Sequence, residues 1–142
     1  MANERATYRE IEHTADLGIE VTATDLPALF ASAGEALYAL IADPTTVESR
    51  DAIDIVVTGN DSEALLHAWL CELLALFNLR EFIGKHCEIM ALGNGQARGR
   101  VSGEKLDLDR HAFHTEIKGI TYHDFRVWRA DDGWHARIIF DV

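Results

Sequence analysis

Two aspartates, Asp16 and Asp141, and the main-chain carboxyl group of Val142 are the groups whose types and positions most directly suggest chemistry. Asp141 stands next to Val142, at the last beat of an apolar strand pattern through Ile138, Ile139 and Phe140. A terminal carboxylate held there beside an aspartate side chain offers two hard oxygen donors one residue apart, a pair that suits a divalent cation. Asp16 lies in Glu12-His13-Thr14-Ala15-Asp16-Leu17-Gly18, which reads as a turn between two short strands. Three carboxylates with no thiolate or imidazole describe a hard ion of the calcium, magnesium or manganese kind, completed by water, and suit zinc poorly. Plainer roles fit the same residues: a turn aspartate accepting backbone N–H bonds at 16, a solvated strand-end charge at 141. A shared site requires a fold that brings the two ends of the chain together.

Other candidates are weaker. His111 and His114 are three apart, and His67 and Cys71 four apart on one helix face, so each pair could begin a zinc site, but neither has a second pair to complete it. Solvated or singly hydrogen-bonded histidine is the better reading for them. Cys71 and Cys87 form no CxxC motif and read as buried thiols. Lys118 on a strand is ordinarily a surface charge. The sequence has no P-loop, nucleophile elbow or GxGxxG, so no motif supports nucleotide chemistry by this chain alone.

The elements that must position these residues follow from periodicity. Tyr8 to His13 and Ile19 to Thr24 read as short strands around the Asp16 turn. Leu26, Leu29, Phe30, Ala33, Leu37, Leu40 and Ile41 recur at helical spacing, with Asp25 as N-cap and Asp43-Pro44 as the stop. Ala52 to Thr58 is a β-branched strand ending at Gly59-Asn60. A second helix then carries Leu65, Leu66, Trp69, Leu70, Leu73, Leu76 and Phe77 on a wide apolar stripe, with Asn60 and Glu63 as a capping-box-like start. From Cys87 onward the pattern is β: Cys87 to Leu92, a Gly93-Asn94-Gly95 turn, Gln96 to Ser102, a bend at Gly103-Glu104, then Phe113 to Arg129 and Trp134 to Val142 around Asp131-Asp132-Gly133. The expectation is one α+β domain over 1–142, two amphipathic helices packed on a mainly antiparallel sheet of at least six strands.

Composition narrows the function classes. At 142 residues, 48% hydrophobic and 26% charged, the chain has the make-up of a soluble globular domain. Its amino terminus lacks the basic and apolar regions of a signal peptide, and no apolar run approaches the roughly 18 residues of a membrane span, so a cytoplasmic protein with no membrane partner is expected. A net charge of -11 with scattered Lys and Arg argues against direct nucleic-acid binding, while an acidic surface would steer the chain toward a basic protein. Oligomeric state is not legible.

Four blocks carry a more specific likeness: His13-Thr14-Ala15-Asp16-Leu17-Gly18, Trp69-Leu70-Cys71-Glu72-Leu73-Leu74, Glu116-Ile117-Lys118-Gly119-Ile120-Thr121-Tyr122-His123, and Trp134 to Val142. In order and spacing they resemble the archease family across almost the whole chain. The resemblance implies an accessory protein of the tRNA-splicing RNA ligase, promoting guanylylation and multiple turnover of that metal-dependent enzyme in tRNA splicing or RNA repair without catalysing a step itself. It also implies a bound divalent ion, usually calcium with magnesium or manganese as options, ligated by residues that map to Asp16, Asp141 and Val142. His13, Lys118 and His123 lie inside the matching blocks and are expected to orient a carboxylate or face the ligase. Two positions depart from the family pattern: Cys71 stands where asparagine is common, and Gly119 where alanine is. Two rival readings use the same residues, a small metal-dependent phosphoesterase with His123 as acid or base, and a chaperone-like adaptor whose carboxylates only fasten the termini.

Overall fold

The computed structural model describes residues 7–11 and 16–142; the His13 expectation falls outside them. Thr7–Ile11 (β1) and Leu17–Ala23 (β2) pair antiparallel, Thr7 opposite Thr22 and Ile11 opposite Gly18. Helix α1, Leu26–Ile41, starts as expected: Asp25 Oδ1 accepts from the Ala28 N–H at 2.8 Å and Pro27 occupies the first turn, where its missing N–H is not needed. Strand β3, Asp51–Thr58, leads to helix α2, Ser62–Arg80. Asp61 caps this helix rather than Asn60, its Oδ1 accepting from Ala64 N–H at 2.8 Å. Glu63 makes no capping box; its carboxylate reaches out to the Val127 N–H at 3.0 Å.

Phe82–Gly93 (β4) and Gln96–Lys105 (β5) form a hairpin whose Asn94 and Gly95 both have positive φ, 56° and 74°, the pair of conformations a tight hairpin turn demands. Strand β5 runs straight through Gly103-Glu104, where a bend was expected. Gly119–Ile120 (β6), Arg126–Ala130 (β7) and Gly133–Asp141 (β8) complete the elements. The strands divide into two antiparallel sheets: β1-β2-β8-β6 with β7 also on β8, and β3-β5-β4. Both helices pack on strands of both sheets.

Trp69 joins the layers. It is fully buried, its Nε1–H donates to the Phe30 carbonyl of α1 at 3.0 Å, and its ring lies over Gly99 of β5, where a Cβ would stand 2.7 Å from Trp69 Cη2. Tyr38 adds a second tie, its hydroxyl donating to the Leu73 carbonyl at 2.6 Å; burial pushes that phenol's pKa well above the ordinary value. Helix α2 is in fact long and apolar enough to match a membrane span, more than its sequence suggested, yet Leu65, Leu66, Trp69, Leu70 and Leu73 of that stretch are spent on the core of this domain.

The largest departure from expectation is Phe113 to Arg129. Only 119–120 and 126–129 of it are strand, and the segment from Asp107 to Lys118 follows an irregular path touching the end of α1 through an isolated Ala42–Phe113 bridge. Side-chain bonds to Glu104 replace a β-ladder there. Glu104, only 2% exposed, accepts from Arg110 Nη1 at 2.9 Å and Nη2 at 2.6 Å, from His111 Nε2 at 2.8 Å and from the Glu48 N–H at 2.7 Å, with Arg50 Nε at 3.1 Å. His111 Nδ1 accepts the Asp107 N–H at 3.0 Å, so Nε2 carries the proton and both ring nitrogens are used. That arrangement removes His111 from any zinc pair with His114.

These donors, Arg110 first, hold the Glu104 carboxyl far below the usual carboxylate range despite burial. A depressed folded-state pKa contributes stability that is complete above the unfolded value, about 4.3, and is lost as pH falls toward the folded value. Glu104→Gln should therefore destabilise by about 1–3 kcal/mol at pH 7, the range for leaving buried donors without their partner. Below about pH 4 the gap from the parent should narrow, because only the parent has an ionised group to lose. Urea unfolding across that pH range tests it, and a gap independent of pH would mean that ionisation of Glu104 is not what holds the segment.

Candidate functional site

Strand β8 is paired on both sides, and its two registers gather the candidate residues. Toward β2, Leu17 faces Phe140, so Asp16 and Asp141 are each one residue past the last pair, at the same end of the ladder. Because alternate strand residues share a face, Asp141 lies opposite in sense to the buried Phe140. Toward β6, Ile120 faces Phe140 and Gly119 faces Asp141. Lys118 follows the same path, its N–H donating to the Asp141 carbonyl at 2.7 Å. Asp16, Lys118, Asp141 and Val142 thus lie at one end of the five-stranded sheet, from three stretches of chain.

The end is open to solvent. Asp141 and Lys118 are exposed, Asp16 is half-buried and Val142 is 39% exposed. Among the described residues no three His, Cys, Asp or Glu side chains gather as metal ligands. The oxygen-only chemistry of this set fits a hard divalent ion with water in several positions. His123 sits beyond β6, in the turn where Thr121 Oγ1 donates to its carbonyl, with Nε2 3.5 Å from Asp124 Oδ2.

A second group, visible in the sequence only as an i,i+4 pair, holds the Lys118 strand in place. His67, 9% exposed on α2, places Nε2 2.8 Å from the Ile120 carbonyl, so Nε2 carries the proton and donates across to β6. Tyr122 stacks on its ring at 3.7 Å with planes 14° apart, and Phe125 meets it edge-on at 5.3 Å. Cys71, exposed rather than buried as its sequence suggested, puts Sγ 3.5 Å from His67 Nδ1; partial loss of water around the thiol, and then the nearby Glu72, raise its pKa. Cys71, Leu74, Leu79, Lys118 and Ile120 line an open groove of about 300 Å³ beside this contact. The sequence signals that could have found the group are the aromatic Tyr122 and Phe125 placed just after β6.

A two-residue strand has little pairing of its own, so this bond should control how firmly Lys118 is held. His67→Phe keeps an aromatic ring against Tyr122 but leaves the Ile120 carbonyl without its donor, which should cost about 1–3 kcal/mol. The Lys118 amide, bonded to Asp141, should exchange with solvent faster than in the parent, while amides of β2 and β8 away from this end should not. Native-state hydrogen exchange by NMR reads both, and unchanged Lys118 protection would show that β6 is held without His67.

Comparison with known proteins adds the remaining information. A model of the Archease protein family (MTH1598/TM1083) matches residues 8–142. The protein archease of Methanopyrus kandleri is 37% identical over 138 residues, covering 95% of this chain and 99% of that one, and the protein archease of Pyrococcus furiosus is 34% identical over 139 residues, covering 95% and 98%. The solution structure of Methanobacterium thermoautotrophicum protein 1598 superposes with a TM-score of 0.80 at 24% identity, over 95% of this chain and 98% of that one. The crystal structure of a Thermotoga maritima archease, described as a possible chaperone, superposes at 0.66 and 15% identity, over 94% and 96%. At those identities the structures establish the shared α+β fold, and the family match together with the two sequence relatives establishes the rest: this chain belongs to the archease family.

Proposed function

We propose that this protein is a non-catalytic activator of the tRNA-splicing RNA ligase, promoting its guanylylation and repeated turnover. A divalent ion, calcium in the first instance with magnesium or manganese as alternatives, is held by Asp16, Asp141 and the carboxyl group of Val142. The observation that carries the reading is the double register of β8, which gathers Asp16, Lys118 and Asp141, residues from three separate blocks of family likeness, at one exposed end of a sheet. A hard-ion site open to solvent keeps positions for a partner's oxygen donors, which a closed structural site would not. When bound, the ion supplies positive charge that offsets the acidic end. The chain's own residues do the rest: Asp16 and Asp141 supply carboxylates at the same end of the β2–β8 ladder, and Lys118, whose N–H donates to the Asp141 carbonyl, adds a positive charge there. With a net charge of -11, the protein approaches a basic ligase surface by electrostatic attraction.

Asp16→Ala should leave the fold intact, because a half-buried residue outside β2 contributes little burial, and abolish stimulation of ligase guanylylation. Extending the chain beyond Val142 converts the carboxylate into a neutral peptide carbonyl, so it should weaken calcium or manganese binding, as should Asp141→Asn, whereas an amino-terminal extension should not. Circular dichroism, calorimetric metal titration and a guanylylation assay with ligase, GTP and manganese make the comparison. Stimulation by folded Asp16→Ala equal to the parent's would remove Asp16 from the mechanism. Turnover of phosphoesters by the protein without ligase would replace an activator by an enzyme.

A further inference from the structure

We propose that the groove between α2 and β6 receives an apolar side chain of the partner protein, with a carboxylate of that partner set on Lys118. The inference rests on the activator reading and names how the ligase is gripped beside the sheet end. The groove is apolar: Leu74 and Ile120 are buried core residues that reach it from below, and Cys71, Ala75, Leu79 and Lys118 complete its lining. Leu79 is 81% exposed, the most exposed large apolar side chain among the described residues, and Tyr122, stacked on His67 next to Cys71, is 67% exposed. A lone exposed leucine is ordinary, but one that extends an apolar groove marks a surface for contact.

Size and charge select the occupant. At about 300 Å³ the groove is at the lower limit for ligand pockets, and its openness would leave much of a free ligand in water, so it suits a side chain presented on another protein's surface. Arg9, Arg50, Arg100, Arg110 and Arg137 each reach a carboxylate, whereas the Lys118 ammonium makes no ion pair among the described residues. The acidic chain is drawn to a basic surface as a whole, and here the sign is locally reversed, so one carboxylate on Lys118 fixes the register that general attraction leaves loose. A second copy of this chain also carries carboxylates, but it would bring a further net charge of -11, and mutual repulsion opposes it.

The two sides of the groove are set before a partner arrives. Trp69 and the Tyr38–Leu73 bond fix α2, and the bond from His67 to the Ile120 carbonyl fixes β6 against it. Binding therefore orders little of this protein, and the apolar contact is not offset by a large loss of freedom.

Calorimetric titration of the full-length protein with the ligase tests the groove. Leu79→Ser, a charge-neutral change at an exposed position, should weaken ligase binding by about tenfold or more, the worth of burying one leucine side chain. Lys118→Glu should weaken it by a similar factor, and Lys118→Arg should not. Val56→Ser, equally neutral and exposed but on β3, should bind as the parent does. Alkylation of Cys71 with N-ethylmaleimide, the excess removed before ligase is added, should fill the groove and weaken binding, while the same treatment should not change the affinity of Cys71→Ser, because Cys87 is buried. Affinity equal to the parent's in Leu79→Ser, in Lys118→Glu or in the alkylated protein would overturn this inference and leave the activator reading standing. No binding by the parent would overturn both. Self-association of the parent that Leu79→Ser abolishes would give the groove to a second copy and overturn the proposal as well.

Discussion

The pairing of β8 with neighbours on both sides is the constraint on which the rest of the molecule turns. Phe140 is opposite Leu17 on one side and Ile120 on the other, so a single residue at the end of the strand sets the position of two other stretches of chain. A slip of one residue in either register would exchange the faces of Asp141 and Phe140, moving a fully buried ring into water and an aspartate into the core. Burial of Ala136, Ile138 and Phe140 therefore guards the placement of the carboxylates that follow them. Packing at one end of the strand becomes geometry at the other.

That strand is held from beneath by helices that serve both sheets. Trp69 reaches from α2 to the Phe30 carbonyl of α1 and to the backbone of β5 at Gly99, so one side chain reports on the alignment of three elements. The same helix turns a different face to the candidate site. Two residues to either side of Trp69, about half a turn round the helix, His67 bonds the Ile120 carbonyl and Cys71 lies on the groove beside Lys118. Core and site are thus two faces of α2. This is how a two-residue strand is kept in place: its ladder is short, and a helix side chain supplies the bond that further strand residues would otherwise make.

The polar groups fall into two kinds. Glu104 and its arginines spend their charge inside the structure, tying the irregular 107–118 segment to β5 and leaving His111 with no nitrogen to offer a ligand. At the end of β8 the carboxylates are exposed or half-buried and stand in solvent. A buried, fully bonded carboxylate is a fastener, and accessible ones can be reached by a cation or a partner. The proposed ligase partner is the reading that makes use of this exposed end.

Local sequence determined the two helices, the cap at Asp25, the hairpin turns at Asn94-Gly95 and Asp131-Asp132, and the strand character of β3 and β8, because each rests on periodicity or turn chemistry within a few residues. It also marked Asp16 and Asp141 as residues of interest, through type and likeness, and left open whether they meet. Tertiary structure places both at the same end of the β2–β8 ladder, one residue past the Leu17–Phe140 pair, a relation no local window contains. It decided equally that Asp61 and not Asn60 caps α2, once Glu63 was drawn away to Val127. The failure of Phe113 to Arg129 to form one continuous strand has the same origin: alternation there looked adequate, but the backbone follows Arg110 and His111 to a carboxylate on β5 and Phe113 to the end of α1. Short-range patterns specify what a segment prefers, and long-range bonds to buried charge specify where it goes.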